Sequence, residues 1–428
     1  ICTECGSIKN KPRQDFNGVY QIETAGELYW FAGLVNGDSN VCKGSISQDT
    51  GACAVLIADI VLNEGDVAEC DGNKQAQWRE WNPIGDHDTP YTGIFDGAGY
   101  SISGLYIDDE ELTYAGIFGY ISGTCSIGNL VLTNSYIRAY NYAGGVCGYM
   151  YGVDDKKNVE NISKIFNCFV KDSVITSALF SGGICGGACN MFFLFSCLNT
   201  ANVMGTGDNA HAGGICGNVP IVESDAVIGV CYALEGKGYD GITGWGKDEK
   251  TSWVTGGLVS EKELESGKIC YMYGNFTSKF IHGTDRWRQN LSGEDKDKMP
   301  VLDTTHRRVY KASCNVYSND EKAVSEHIYD NGVCAVCGCY EEPECIDDVY
   351  QIRTAGDLYW FAGYVNNNPD MSIDVSESHA DADAVLVNDI VINEGDVSGC
   401  NGVMADNWKD WTPIGYLFGY KGTFNGNG

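Results

Sequence analysis

Cys314, His327, Cys334 and Cys337 have the side-chain types that hold zinc: thiolates and an imidazole within one short stretch. Their spacing matches no standard finger, so oxidation competes with metal binding. A Cys334–Cys337 pair, or bridges using Cys339 and Cys345, would staple the same stretch, which is too small to own a core. Cys42 and Cys53 are a further disulfide candidate. Both are replaced in a second copy of the surrounding sequence, by Ser372 and Asp383, and joint loss is what a bonded pair shows. Closing that loop would contribute about 2–3 kcal/mol in the chain-entropy account.

Six more cysteines fall at equivalent places in short repeated units: Cys147, Cys185 and Cys216 in one set, Cys168, Cys197 and Cys231 in another. If the units stack, neighbours lie within bridging distance. The plainer reading is a column of small buried thiols, since Val and Ile flank them. No base accompanies them, so none reads as a nucleophile. The densest carboxylates, Asp86-His-Asp88, Asp108-Asp-Glu-Glu111 and Asp381-Ala-Asp383, match no calcium loop and read as solvated loop clusters. His-Glu-x-x-His and Gly-x-Ser-x-Gly are both missing, which leaves no peptidase or esterase signature. No catalytic residue is assigned and no cofactor is required; structural zinc or calcium are the ions these residues admit.

These residues sit on a repeating framework. Val19 to Asn36 returns as Val349 to Asn366, identical at fifteen of eighteen positions. Ile60–Val67 returns as Ile390–Val397, and Trp78–Gly85 as Trp408–Gly415. Each copy opens with a short strand. Thr24 then stands three residues before Glu27, a capping-box start for a helix with Leu28, Phe31, Ala32 and Val35 on one face. From Trp81 the pattern becomes short strands between glycines. One template recurs as Tyr114-Ala-Gly-Ile-Phe-Gly119, Tyr142-Ala-Gly-Gly-Val-Cys-Gly148, Phe180-Ser-Gly-Gly-Ile-Cys-Gly186 and His211-Ala-Gly-Gly-Ile-Cys-Gly217. A second runs Phe166-Asn-Cys168, Phe195-Ser-Cys197, Gly229-Val-Cys231.

Such periods mean units that bury a face on their neighbours. The units lack helical periodicity and are rich in Val, Ile, Tyr and Phe, so a β-solenoid fits, with the opening helix covering its first rung. Ser260 and Glu263 form another capping box, for a helix running through Leu264, Ile269 and Tyr271 to Gly274. The expected divisions are a preceding tail and linker at 1–18, one complete module at 19–312, a Cys-rich connector at 313–347 and the start of the next module at 348–428.

The formal charge of −30 argues against a nucleic-acid surface and against docking on anionic lipid. No run of about 18 apolar residues occurs, so nothing reads as a membrane span. Twenty cysteines point to an oxidising compartment, to many buried thiols, or to a metal.

The Gly-Gly-aliphatic-Cys-Gly units resemble the GLUG motif. Together with Tyr-Gln-Ile-x-Thr-Ala, Trp-x-Pro-Ile-Gly and Phe-Asp-Gly-x-Gly-Tyr-Ser-Ile-Ser-Gly-Leu, they are similar to GLUG-repeat, adhesin-like surface proteins of anaerobic Gram-positive gut bacteria. The resemblance runs through 19–310 and again from 349. One departure is Phe118, where the later units have Cys. The resemblance implies an all-β, right-handed parallel β-helix with a short capping helix at each module start and a helix near its end. It also implies a secreted or cell-surface, extracellular bacterial protein. The function expected is a non-catalytic adhesin, stalk or fibre segment. Its partners would be neighbouring modules of the same chain and host glycans, mucin or surface proteins, with no nucleic acid and no direct membrane insertion. The competing expectations are a glycan-cleaving β-helix enzyme and an accessory region of a secreted surface peptidase.

Overall fold

The computed structural model describes residues 11–38, 47–152, 162–219, 226–245, 252–275, 286–313, 316–321, 329–334, 338–366, 379–395, 397, 408–416 and 419–428. The chain is mostly β, with long parallel sheets and few helices. It forms two compact units. The first comprises residues 1–265, 286–288 and 298–306; the second comprises 266–285, 289–297 and 307–428.

The first unit begins as the sequence leads one to expect. The Thr24 hydroxyl accepts from the Glu27 amide at 3.3 Å, and the Glu27 carboxylate accepts from the Thr24 amide at 3.0 Å. The helix Ala25–Asn36 ends at Gly37, whose φ of 69° is the left-handed stop that glycine takes without strain. Phe31, fully buried on the inner face, meets Tyr20, Tyr91 and Phe95 at ring separations of 6.0, 6.2 and 6.0 Å. The helix therefore shields the first strands from water.

Four parallel ladders follow. One runs Tyr20–Ile22, Ala54–Leu56, Ile94–Asp96, Ser126–Thr133, Ser163–Val170, Phe192–Phe195, Ala226–Leu234 and Ser252–Val259. A second joins Tyr106–Asp108, Tyr136–Ala139, Val174–Ser177 and Asn202–Gly205. The third joins Tyr114–Ala115, Tyr142–Gly144, Phe180–Gly182 and His211–Gly213. The fourth joins Phe118–Ser122, Cys147–Tyr151, Cys185–Cys189, Cys216–Asn218 and Thr243–Trp245. From Ile94 onward, successive stretches of chain contribute strands to these ladders in the same order. Like residues thus stand in register inside: Phe95, Ile127, Ile165, Leu194 and Ile228 form one buried column. Burying each such side chain contributes about 1.5–3 kcal/mol.

The Gly-Gly-x-Cys-Gly template marks close backbone approaches. A Cβ at Gly182 would stand 1.9 Å from the Cys185 carbonyl oxygen, and one at Gly144 or Gly213 would stand 2.1 Å from the matching oxygen of Cys147 or Cys216. The closing glycines are equally confined: a Cβ at Gly186 would lie 2.6 Å from the Gly148 carbonyl oxygen. The template recurs because these positions have no room for a side chain.

A corner of the first ladder carries a polar column that the sequence did not reveal. Asn129, Asn167, Ser196 and Val230 take φ of 54°, 47°, 49° and 50°. Asn tolerates this region better than other non-glycine residues, whereas β-branched Val230 is strained there. The Asn129 amide donates to Asp96 at 2.9 Å, and Asn167 donates to the Asn129 oxygen at 3.0 Å. Ser196 is too short to continue the column. The indole of Trp287 takes the missing place, donating to the Asn167 Oδ1 at 3.2 Å and to the Ser196 carbonyl at 3.1 Å. Trp287 is 1% exposed.

The expected helix after Ser260 differs from the structure. The capping box forms, but the helix Glu261–Glu265 breaks before a second, Lys268–Asn275. Gly267, at φ of 89°, lies between them, outside the helical region of the backbone.

The second unit repeats the opening of the first. Its strands run Cys345–Ile346, Val349–Ile352, Asp383–Leu386 and Phe424–Asn425, and Thr354 with Asp357 rebuilds the capping box before the helix Ala355–Val365. Asn36 donates to the Pro83 carbonyl and accepts from the Gly85 amide at 2.9 and 2.8 Å; Asn366 makes the same pair with Pro413 and Gly415 at 2.9 and 2.8 Å. Trp78 and Trp408 likewise donate to the carbonyls of Glu64 and Glu394. The sequence repeat is thus a repeat of specific hydrogen bonds.

Candidate functional site

The third and fourth ladders carry aromatic side chains on their outward positions. Alternation puts Ala115 and Ala143 inside and their neighbours Tyr114 and Tyr142 outside. Because the strands are parallel and in register, the outward rings stack. Tyr114 lies 5.7 Å from Tyr142, Tyr142 lies 5.2 Å from Phe180, and Phe180 lies 5.8 Å from His211, with interplanar angles of 11°, 16° and 12°. The adjoining row contributes Tyr120 and Tyr149, stacked at 5.4 Å, and ends at Trp245. Tyr142 and Tyr149 meet edge to face at 4.8 Å, which joins the two rows into one band. Its register positions step by about 4.8 Å per rung.

Within the second row Gly187 stands between Tyr149 and Asn218. A Cβ at Gly187 would be 2.7 Å from the Tyr142 ring, so that ring occupies the space a side chain would take. The Asn218 side chain bonds the Tyr142 phenol, while its Oδ1 has no partner although the residue is only 4% exposed. Burial pushes the phenols of Tyr114, Tyr120, Tyr142 and Tyr149 upward, so all remain neutral well past neutral pH. Trp245 is 45% exposed and Tyr151, beside Tyr120, is 40% exposed. The band carries no Lys, Arg, Asp or Glu.

The residues singled out from sequence are placed as follows. Cys147, Cys185 and Cys216 do stack in one column, in register across their strands, and each is fully buried. Cys168, Cys197 and Cys231 are likewise fully buried. They are thiols and not bridges, and burial raises the thiols of Cys168, Cys185 and Cys231. This is the small-hydrophobe packing. Cys53 carries an unbridged thiol whose Sγ donates to the Gly51 carbonyl; Cys42 lies outside the described residues. In the connector, Cys314, His327 and Cys337 also lie outside them. Cys334 is buried, and its amide donates to the Cys339 carbonyl at 2.8 Å; Cys345 is exposed. Among the described residues no group of three or more His, Cys, Asp or Glu is placed to hold a metal ion.

One member of the acidic cluster at 108–111 is a correction, while Asp109, Glu110 and Glu111 are exposed. Asp108 is not a solvated loop acid: it pairs with Arg138 and accepts from the Tyr106 phenol at 3.1 Å, with only 13% of its side chain exposed. Arg138 also reaches Glu110 at 2.9 Å. The reason is register, which puts Arg138 directly beside Asp108 on the next strand. Asp86 serves its own turn, accepting from the amides of Asp88 and Thr89.

No family model matches the chain. Over 83 residues, 19% of this chain, it is 39% identical to a protein of Evansella cellulosilytica provisionally named a Gly-rich membrane protein, and the match spans 10% of that protein. The matched stretch therefore spans about a tenth of that relative's length. A solved structure from Bacteroides ovatus, provisionally identified as an immunoglobulin A1 protease, is similar at a TM-score of 0.43 and 16% identity, over 69% of this chain and 95% of that one. Among the described residues, no helix is long and apolar enough to cross a membrane.

Proposed function

We propose that this chain is a non-catalytic segment of an extracellular, surface-displayed bacterial repeat protein, acting as an adhesive or stalk module. In this reading its ladders wind as a right-handed parallel β-helix of the GLUG-repeat kind. The observation that carries the proposal is the in-register stacking of like residues over successive strands, together with the return of the opening hydrogen bonds in the second copy. A scaffold of this kind is rigid along its ladders and adds length by adding units. Its polar side chains are used structurally: Asp108 is held by Arg138, the Asn column is closed by Trp287, and the stacked thiols are buried.

Structural zinc or calcium in the connector, and contacts with neighbouring modules, host glycans, mucin or surface proteins, belong to the same proposal. The test is product analysis. The purified chain, incubated with neutral and acidic glycans and with immunoglobulin A, should leave every substrate intact. Release of shorter sugars would move the assignment to a glycan-cleaving enzyme. Peptide cleavage would move it to a peptidase.

A further inference from the structure

We propose that the aromatic band on the third and fourth ladders binds a neutral, hydroxyl-rich glycan chain, which deepens the adhesive reading above and rests on it. Three observations converge on that chemistry.

The first is charge. A chain with formal net charge −30 carries a band of outward positions without one formal charge. Anionic partners are repelled by the molecule as a whole. Single-stranded nucleic acid also stacks on aromatic rings, but it needs Lys or Arg along its backbone, and the band has none. A neutral ligand meets neither obstacle.

The second is the way the rings are presented. Tyr114, Tyr142 and Phe180 spend their faces on one another, and the Tyr142 phenol turns to the buried Asn218 side chain. Trp245 breaks that order. It is inclined 46° to Phe180 and 41° to His211 and is 45% exposed, so it offers a large, flat apolar surface at the end of the uncharged aromatic band. Sugars match that surface: their apolar C–H faces stack on the indole while most of their hydroxyls stay in water.

The third is an orphaned acceptor. Asn218 lies between Gly187 and Trp245 in the same row, and its Oδ1 lacks a donor. A buried acceptor without a partner is costly, and a ligand hydroxyl would satisfy this one once binding shifts the rings that cover it. The third-ladder rings His211, Phe180, Tyr142 and Tyr114 follow one another in register, so an extended glycan starting on Trp245 would pass a ring at each rung.

The test uses the whole 428-residue chain and defined probes: hexasaccharides of β-1,4-linked glucose, mannose and xylose, with a galacturonic acid hexamer as the acidic counterpart. At least one neutral hexamer should bind, and the acidic one should not. Trp245→Ala should weaken binding by at least about tenfold, as loss of an aromatic anchor does. Asn218→Ala should weaken it less. Thermal unfolding should show both variants folded, and Tyr140→Phe, which alters an exposed tyrosine outside the band, should bind as the parent does. Preference for the acidic hexamer, equal binding by Trp245→Ala, or no binding at millimolar probe would each overturn the proposal. So would a parent dimer that Trp245→Ala dissolves, since the band would then be a self-association face. Failure here, with substrates intact and the protein found on the cell surface, would leave the wider reading standing; cleavage of a probe would sink that reading instead.

Discussion

Replacing Trp287 with phenylalanine keeps most of the buried ring and removes one N–H. That N–H serves two buried acceptors, the Asn167 Oδ1 at 3.2 Å and the Ser196 carbonyl at 3.1 Å. Both acceptors belong to residues with no exposed surface. The loss should therefore exceed that of an ordinary hydrogen bond, about 1 kcal/mol, and approach the penalty for stranding buried acceptors, about 2–3 kcal/mol. For a unit of this size, each kcal/mol lowers the melting temperature by about 2–4 °C. Scanning calorimetry of parent and Trp287→Phe chains should show the transition of the first unit about 4–12 °C lower. In a double-mutant cycle Asn167→Ala should cost less in the Trp287→Phe background than in the parent, because the two residues share one hydrogen bond. A Trp287→Phe chain within about 0.5 kcal/mol of the parent would refute the claim that Trp287 completes the polar column.

Gly182→Ala should destabilise the first unit by about 3 kcal/mol, because the new methyl meets backbone on a neighbouring segment; the readout is the same calorimetric transition. Burial raises the tyrosine phenols, Tyr29 to about 12 with Arg79 opposing, so the folded state favours their neutral form. That contribution is complete below the ordinary phenol value of about 10 and drains away as pH climbs through the raised values, so denaturant midpoints should fall between about pH 10 and 12. A thiol reagent applied to the native chain should modify exposed Cys345 quickly and leave Cys147, Cys168, Cys185, Cys216 and Cys231 untouched until denaturant is added. Rapid native labelling of those five would contradict the buried column.

The framework was legible in the chain because it rests on local chemistry. Thr24 with Glu27, and the same box at Thr354, announce their helices through residues three apart. The Gly-Gly-x-Cys-Gly template reported stacking because a close backbone approach tolerates only glycine. What escaped notice depended on distance in sequence or on which way a side chain faced. Nothing near Trp287 advertises a partner at Asn167, far earlier in the chain. Asn129 and Asn167 were visible beside the stacked apolar positions, but their left-handed backbone is a property of the corner and not of their spacing. The tyrosines opening each unit were noted as part of a template. Only parallel, in-register pairing turns them into stacked rings, and only the neighbouring ladder brings Tyr149 against Tyr142. Asp108 was misread for the same reason, since its partner Arg138 lies one strand away.

The most direct measurement is immunogold labelling of intact, unpermeabilised source cells with antibody raised against this chain. The account predicts gold on or beyond the cell envelope, at a density unchanged by permeabilising the cells. Gold seen only after permeabilisation, and confined to the cytoplasm, would contradict surface display and with it the adhesive or stalk role.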